Sequence, residues 1–290
     1  MAEMASMCKN IQSFLRKATR GILWVPVVLC CGLGRAVASD VSSIVFYYGS
    51  DTPVQALSRF AVAVLEPDAH PKGPPHQGTT RWLAYVSVGE VLDSRPYYSR
   101  MPQAWHLGKN DVWHSVVVDQ SAPDWPKFLV NQVATPLWRQ GYQGLFLDTL
   151  DSYQLVSKDP AVLERQRQGL VRAIRALRRA RPKAILILNR GFELLPDIHN
   201  QIDAVAFESL YSGWDQAASR YVTVPEPDRA WLLGQAAKAK SYGLPVISID
   251  YCPPNDKECT QQTSRKIRSH GLIPYVGDGH LQHVNLNMLP

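Results

Sequence analysis

The sequence has no G-x-S-x-G, so the strained serine turn of an α/β-hydrolase is excluded. No glycine-rich phosphate fingerprint follows its first apolar run, which argues against a nucleotide-binding sheet. Histidine is scarce, at eight residues, and scattered; His280 and His283 stand three apart, but no nearby acid completes a metal-ligand pattern. No metal and no other cofactor is therefore expected. Long apolar runs are missing as well. The run over 21–34 is broken by Pro26 and falls short of the ~20 residues that a spanning helix needs.

That run instead has the three parts of a secretory signal. Arg16, Lys17 and Arg20 precede it, and Ala36-Val-Ala38 supplies an A-x-A cleavage site. The expected division is a signal peptide over 1–38 and a single domain over 43–290, with a retained membrane anchor as the alternative. A lipoprotein is disfavoured, because Val27-Val-Leu29 lacks the small residues expected before a lipidated Cys30. Removing 1–38 takes five of the 31 Lys/Arg and one of the 25 Asp/Glu, leaving 26 against 24 and a net charge of +2. So weak an excess is no argument for nucleic acid. Three of the five cysteines leave too, and the remaining pair, Cys252 and Cys259, reads as a disulfide in an exported protein. The expected location is periplasmic or secreted, with no stable span once the signal is gone.

What the chain does have is a recurring pattern: a short apolar run that stops at an acid. Gly144-Leu-Phe-Leu147 ends at Asp148-Thr-Leu-Asp151. A run without alternation suits a strand buried on both faces. Similar runs over 82–88, 204–207 and 246–249 end at Glu90, Glu208 and Asp250-Tyr251. Strands are also expected over 44–48, 60–65, 184–188 and 273–276, which makes eight. A further strand-like run, 113–118, sits in an insertion rich in Trp, His, Tyr and Pro and reads as an excursion. Helices are expected over 53–59, 125–140, 160–181 and 229–242, with another before His270. The 160–181 helix carries six arginines on one side, a solvated face or a contact for an anionic partner.

Eight strands with interleaved helices imply an α/β fold, a closed (β/α)8 TIM-type barrel; a doubly wound open sheet is the alternative. In a barrel the strand C-termini share one rim. That rim would hold Tyr48, Glu90, Asp148, Asp151, Asn189, Glu208, Tyr211, Asp250, Tyr251 and Asp278. Acids, tyrosines and an amide suit a sugar cleft: rings stack on pyranose faces and carboxylates accept from hydroxyls. Glycoside cleavage needs one protonated and one ionised carboxyl group, and crowded acids favour that division. Asp148 and Glu208, two strands apart, are the candidate pair. Trp105, Trp113 and Tyr211 are candidate stacking residues, and a non-catalytic polysaccharide-binding barrel stays open beside the enzyme.

Six segments in order, Tyr85-Val-Ser-Val-Gly-Glu90, Gly144-Leu-Phe-Leu-Asp-Thr-Leu-Asp151, Ile187-Leu-Asn-Arg-Gly191, Phe207-Glu-Ser-Leu-Tyr211, Ile249-Asp-Tyr251 and Pro274-Tyr-Val-Gly-Asp278, resemble glycoside hydrolase family 114. These are endo-α-1,4-polygalactosaminidase-like proteins. The resemblance implies a (β/α)8 barrel cutting an exopolysaccharide of α-1,4-linked galactosamine and N-acetylgalactosamine. It implies Asp148 as nucleophile and Glu208 as general acid/base, with retention. Family members also resemble domains attached to a deacetylase. Since this chain stops at Pro290, the implied partners are a separate deacetylase or exopolysaccharide biosynthesis proteins. An acidic rim fits a polyamine substrate independently of the resemblance.

Overall fold

Each of the eight apolar runs becomes a strand of one parallel sheet in the computed structural model, which describes residues 41–75 and 78–289. The expected signal peptide over 1–38 lies outside the described residues. The strands are β1 (Ile44–Tyr47), β2 (Val62–Leu65), β3 (Arg81–Ser87), β4 (Gly144–Asp148), β5 (Ile185–Asn189), β6 (Ala204–Glu208), β7 (Val246–Tyr251) and β8 (Ile273–Gly277). They lie side by side in chain order. A doubly wound sheet would reverse that order partway. The sheet instead curls into a nearly closed (β/α)8 barrel. At the β8–β1 junction the link among the described residues is not a ladder: the Tyr275 hydroxyl donates to Phe46 O at 2.8 Å, and Tyr48 N donates to Leu281 O at 2.7 Å.

Strand residues alternate between faces, and this places the chemistry. Phe46 on β1 meets Phe146 on β4 (4.9 Å between ring centroids) and Tyr275 on β8 (5.3 Å), inside the barrel. Side chains two residues further along point the same way, one pleat higher. They are polar: Tyr48 above Phe46, Asp148 above Phe146 and Tyr251 above Ile249. The outward set of each strand packs beneath the helices.

The longest helix, Pro160–Ala180, starts where Asp159 accepts from Ala161 N at 2.8 Å and Pro160 takes a first-turn position. Leu170, Ile174 and Leu177 are fully buried against the sheet. Its arginines largely hold the barrel itself: Arg167 pairs with Asp197 at 2.6 Å, Arg178 with Asp203 at 2.7 Å, and Arg175 donates to Asp197 O at 2.9 Å. The expected helix over 125–140 forms as three pieces, Trp125–Phe128, a π-helical Leu129–Ala134, and Thr135–Arg139. Pro136 explains the break, having no N–H for the helical ladder and a ring that crowds the preceding turn.

Two additions decorate the rim. The excursion is a three-stranded antiparallel sheet of Glu90–Val91, His106–Asn110 and Ser115–Val118. A hairpin, Ser212–Asp215 with Arg220–Thr223, follows β6 and was not expected. No helix among the described residues is long and apolar enough to cross a membrane.

Candidate active site

The C-terminal rim opens into a cavity of about 750 Å³. At its floor stand Asp148 and Glu208, the last residues of β4 and β6, with Asn189, the last residue of β5, between them. The Asn189 amide donates from one nitrogen to both acids, to Asp148 Oδ1 at 2.8 Å and to Glu208 Oε1 at 2.9 Å. The two oxygens are therefore at most 5.7 Å apart, the sum of those lengths. The other oxygens are also held. The Tyr85 hydroxyl donates to Asp148 Oδ2 at 2.8 Å, and the Tyr251 hydroxyl donates to Glu208 Oε2.

Burial pushes both carboxyl groups above their ordinary range, and for Glu208 the nearby charge of Asp148 adds to it. Hydrogen bonds from Tyr85, the Thr149 backbone and Asn189 act the other way on Asp148 and favour its ionised form. Glu208 is supplied in the same way, by Tyr251 and Asn189 and with the Arg190 charge nearby; what sets it apart is the like charge of Asp148, which adds to burial in raising it.

The backbone under this pair is specialised. Thr149 follows Asp148 with φ at 60° and Arg190 follows Asn189 with φ at 59°, in the left-handed region where side chains rarely sit. Thr149 Oγ1 accepts from Gly89 N at 2.9 Å, and Arg190 donates to Glu208 O at 2.7 Å. Gly89 passes so close that a Cβ there would lie 2.0 Å from Thr149 O. Glu66 fastens Arg95 by two bonds, at 2.5 and 3.0 Å, and Arg95 lies over the Tyr85 ring, 5.9 Å from its centroid. Sequence reasoning did not single out Tyr85, Arg95, Thr149, Arg190 or Ser87, whose hydroxyl lies 2.8 Å from Thr149 Oγ1 in the cavity lining, as part of the site. Tyr85 could have been found from its place, one pleat below Ser87 on a strand whose end enters the cavity.

Of the expected rim residues, the structure brings Tyr48, Glu90, Asp148, Asp151, Asn189, Glu208 and Tyr251 to the cavity. Three it does not. Asp250 is fully buried beside β6, where its carboxylate accepts from Leu210 N, Tyr211 N, Ser212 N and the Ser248 hydroxyl. Its neighbour Tyr251 faces the cavity, and adjacent strand residues cannot both do so. Asp278 is also buried and accepts from His280 N, Gln282 N and His283 N, shaping the turn that carries Gly279 to Leu281 into the cavity wall. Tyr211 lies in a separate hollow of about 370 Å³, flanked by Arg229 and Lys266, with its hydroxyl 2.7 Å from His270 Nε2.

Trp113 lines the cavity, but Trp105 packs edge-on against Trp125 and Phe128. Cys252 and Cys259 form the expected disulfide, with Cα atoms 6.0 Å apart.

A family model of glycoside-hydrolase family GH114 matches residues 37–288. Among solved structures, the glycoside hydrolase domain of PelA from Pseudomonas aeruginosa is 36% identical, with 84% of this chain and 97% of that one covered, at a TM-score of 0.76. Ega3 from Aspergillus fumigatus, solved in complex with galactosamine, shares the fold at 13% identity and a TM-score of 0.58, over 83% of this chain and 93% of that one. An uncharacterised protein of Deinococcus radiodurans is 26% identical over 222 residues, 71% of this chain and 67% of that protein.

Proposed function

The chain belongs to glycoside hydrolase family GH114, and from that premise we propose that it is an exported endo-glycosidase that cuts a polysaccharide of α-1,4-linked galactosamine and N-acetylgalactosamine with Asp148 and Glu208. The observation that carries this is the shared donor. Two carboxyl oxygens no more than 5.7 Å apart across one Asn189 nitrogen can flank a single glycosidic bond, and retention, with its carboxyl groups ~5–5.5 Å apart, is the mechanism the family resemblance implies for them.

In the first step an oxygen of ionised Asp148 attacks the anomeric carbon while Glu208 gives its proton to the departing glycosidic oxygen. A glycosyl ester on Asp148 forms and the linkage breaks. In the second step Glu208, now ionised, takes a proton from water, which attacks the same carbon and releases Asp148. Tyr85 and Asn189 hold the nucleophile in place, and Tyr251 and Asn189 hold the acid. Tyr48, Asp151 and Trp113 are left to bind sugar.

The substrate is supported by what the neighbours are: the hydrolase domain of PelA, and Ega3 holding galactosamine. An acidic floor attracts ammonium groups. The disulfide supports an oxidising location, periplasmic or secreted. The test is digestion of partially deacetylated polygalactosamine, with the anomeric configuration of the first product read by NMR. Retention is expected, and Asp148→Asn or Glu208→Gln abolishes release; full activity in either variant removes its assigned role.

A further inference from the structure

The hollow around Tyr211 has no part in the chemistry above, and its contacts make it one site. The backbone amides of Tyr211 and Ser212 donate to buried Asp250, and Tyr211 O accepts from Val224 N at 3.0 Å. Arg229 donates to Val224 O at 2.7 Å and lies 5.8 Å from the centroid of the Tyr211 ring. Lys266 Nζ lies 5.5 Å from the same centroid, and the His270 ring stacks on Tyr211. The rim hairpin, the helix Glu226–Ser241 and the helix Lys257–Ser269 thus converge on one tyrosine.

Its charge is opposite to that of the catalytic floor. No acid stands among the residues that line it. Arg229 pairs with Glu226 and holds Val224 O, which leaves three of its five N–H donors. Lys266 is exposed and has no carboxylate partner among the described residues, so its three donors are unspent. Two cations gathered at one ring repel each other, and Glu226 answers only one of them. An anion seated between them would relieve that repulsion.

Size and lining narrow the anion. About 370 Å³ is far more than an inorganic ion fills, and it lies within the ~300–1,000 Å³ of small-molecule sites. The Tyr221 hydroxyl accepts from Gly279 N at 3.3 Å and keeps its proton to donate. Hydroxyls of Ser212, Thr223 and Thr263 share the lining. Two cations ringed by hydroxyls suit a ligand that carries a carboxylate and hydroxyls of its own. An amino sugar, charged like the lysine, is turned away, so the hollow is no outlying seat for a polyamine.

We propose that this hollow is a second carbohydrate site, one that takes an acidic sugar with its carboxylate between Arg229 and Lys266. The proposal stands whatever polymer Asp148 and Glu208 cut.

Calorimetric titration of the full chain with a galacturonic acid trimer tests it, beside the neutral galactose trimer and inorganic phosphate. The wild type binds the acidic trimer, more weakly as salt is raised, and leaves the neutral one free. Lys266→Glu weakens binding at least about tenfold, the loss of one hydrogen bond to a charged group. Lys266→Arg keeps it, and Asp148→Asn binds as the wild type does. Tm is unchanged in both Lys266 variants because the side chain is exposed. No binding of the acidic trimer, binding untouched by Lys266→Glu, or binding lost in Asp148→Asn overturns the proposal. Equal binding of the neutral trimer overturns it too, as does phosphate binding as tightly as the acidic trimer, the mark of a site for small anions alone.

Discussion

Asp148 and Glu208 share a single donor, the side-chain nitrogen of Asn189, at 2.8 and 2.9 Å. One neutral amide thus restrains two acids that burial would otherwise leave to repel each other. It also sets their protonation, because a donor to a carboxylate favours the charged form.

Replacing Asn189 with Ala removes a hydrogen bond from each acid, the one to ionised Asp148 being to a charged group. A loss of about 1.5–3 kcal/mol corresponds to roughly 10- to 100-fold in kcat. Both carboxyl groups move further up, so the acid limb of the pH–rate profile, where Asp148 must be ionised, shifts to higher pH. Kinetics across pH check this; an unmoved acid limb contradicts it.

Glu208 is held above its ordinary range in the fold, chiefly by burial, so its contribution to stability is full below the unfolded-state pKa and is lost as pH rises through the folded one. Glu208→Gln should therefore leave Tm unchanged near pH 4 and raise it at pH 8. Thermal unfolding of both proteins at the two pH values tests the sign.

Gly89→Ala would put a methyl 2.0 Å from the carbonyl of Thr149, a backbone atom that cannot swing aside. The strain should cost about 1–3 kcal/mol and displace Asp148, lowering kcat more than it raises KM. Denaturant titration and steady-state kinetics measure the two effects separately.

The disulfide joins residues seven apart, so its stabilisation should be about 2–3 kcal/mol in the chain-entropy treatment. Cys252→Ser/Cys259→Ser should fold, melt lower, and still cleave substrate at low temperature. Mass analysis of exported wild type should show the pair joined.

The barrel strands were legible because apolar runs such as Leu145 to Leu147 and Leu186 to Leu188 are too short for helices and recur between helical stretches, which suits strands buried on both faces. The hairpin after β6 was not: Ser-Gly-Trp-Asp and Arg-Tyr-Val-Thr are short and half polar, and their pairing depends on a turn with no Asn-Gly or Gly-Gly signal. Among the acids, a strand-end position was a good guide for Asp148 and Glu208. It failed to separate them from Asp250 and Asp278, which hold backbone amides. Alternation along β7 carries the missing information, since Asp250 and Tyr251 must face opposite ways. Glu90 could not be sorted at all, because the three donors to its carboxylate, Asn110, Ser115 and Ser152, lie 20, 25 and 62 residues away in the chain.

The reactive side chains stand one pleat above the apolar tier that keeps the staves together. Folding and the proposed cleavage thus fall to different residues of the same strands. If the proposed roles hold, Asp148→Asn should keep the cavity while losing cleavage, and so should act as a lectin: labelled with a fluorophore, it would stain the polymer in place and map where it accumulates.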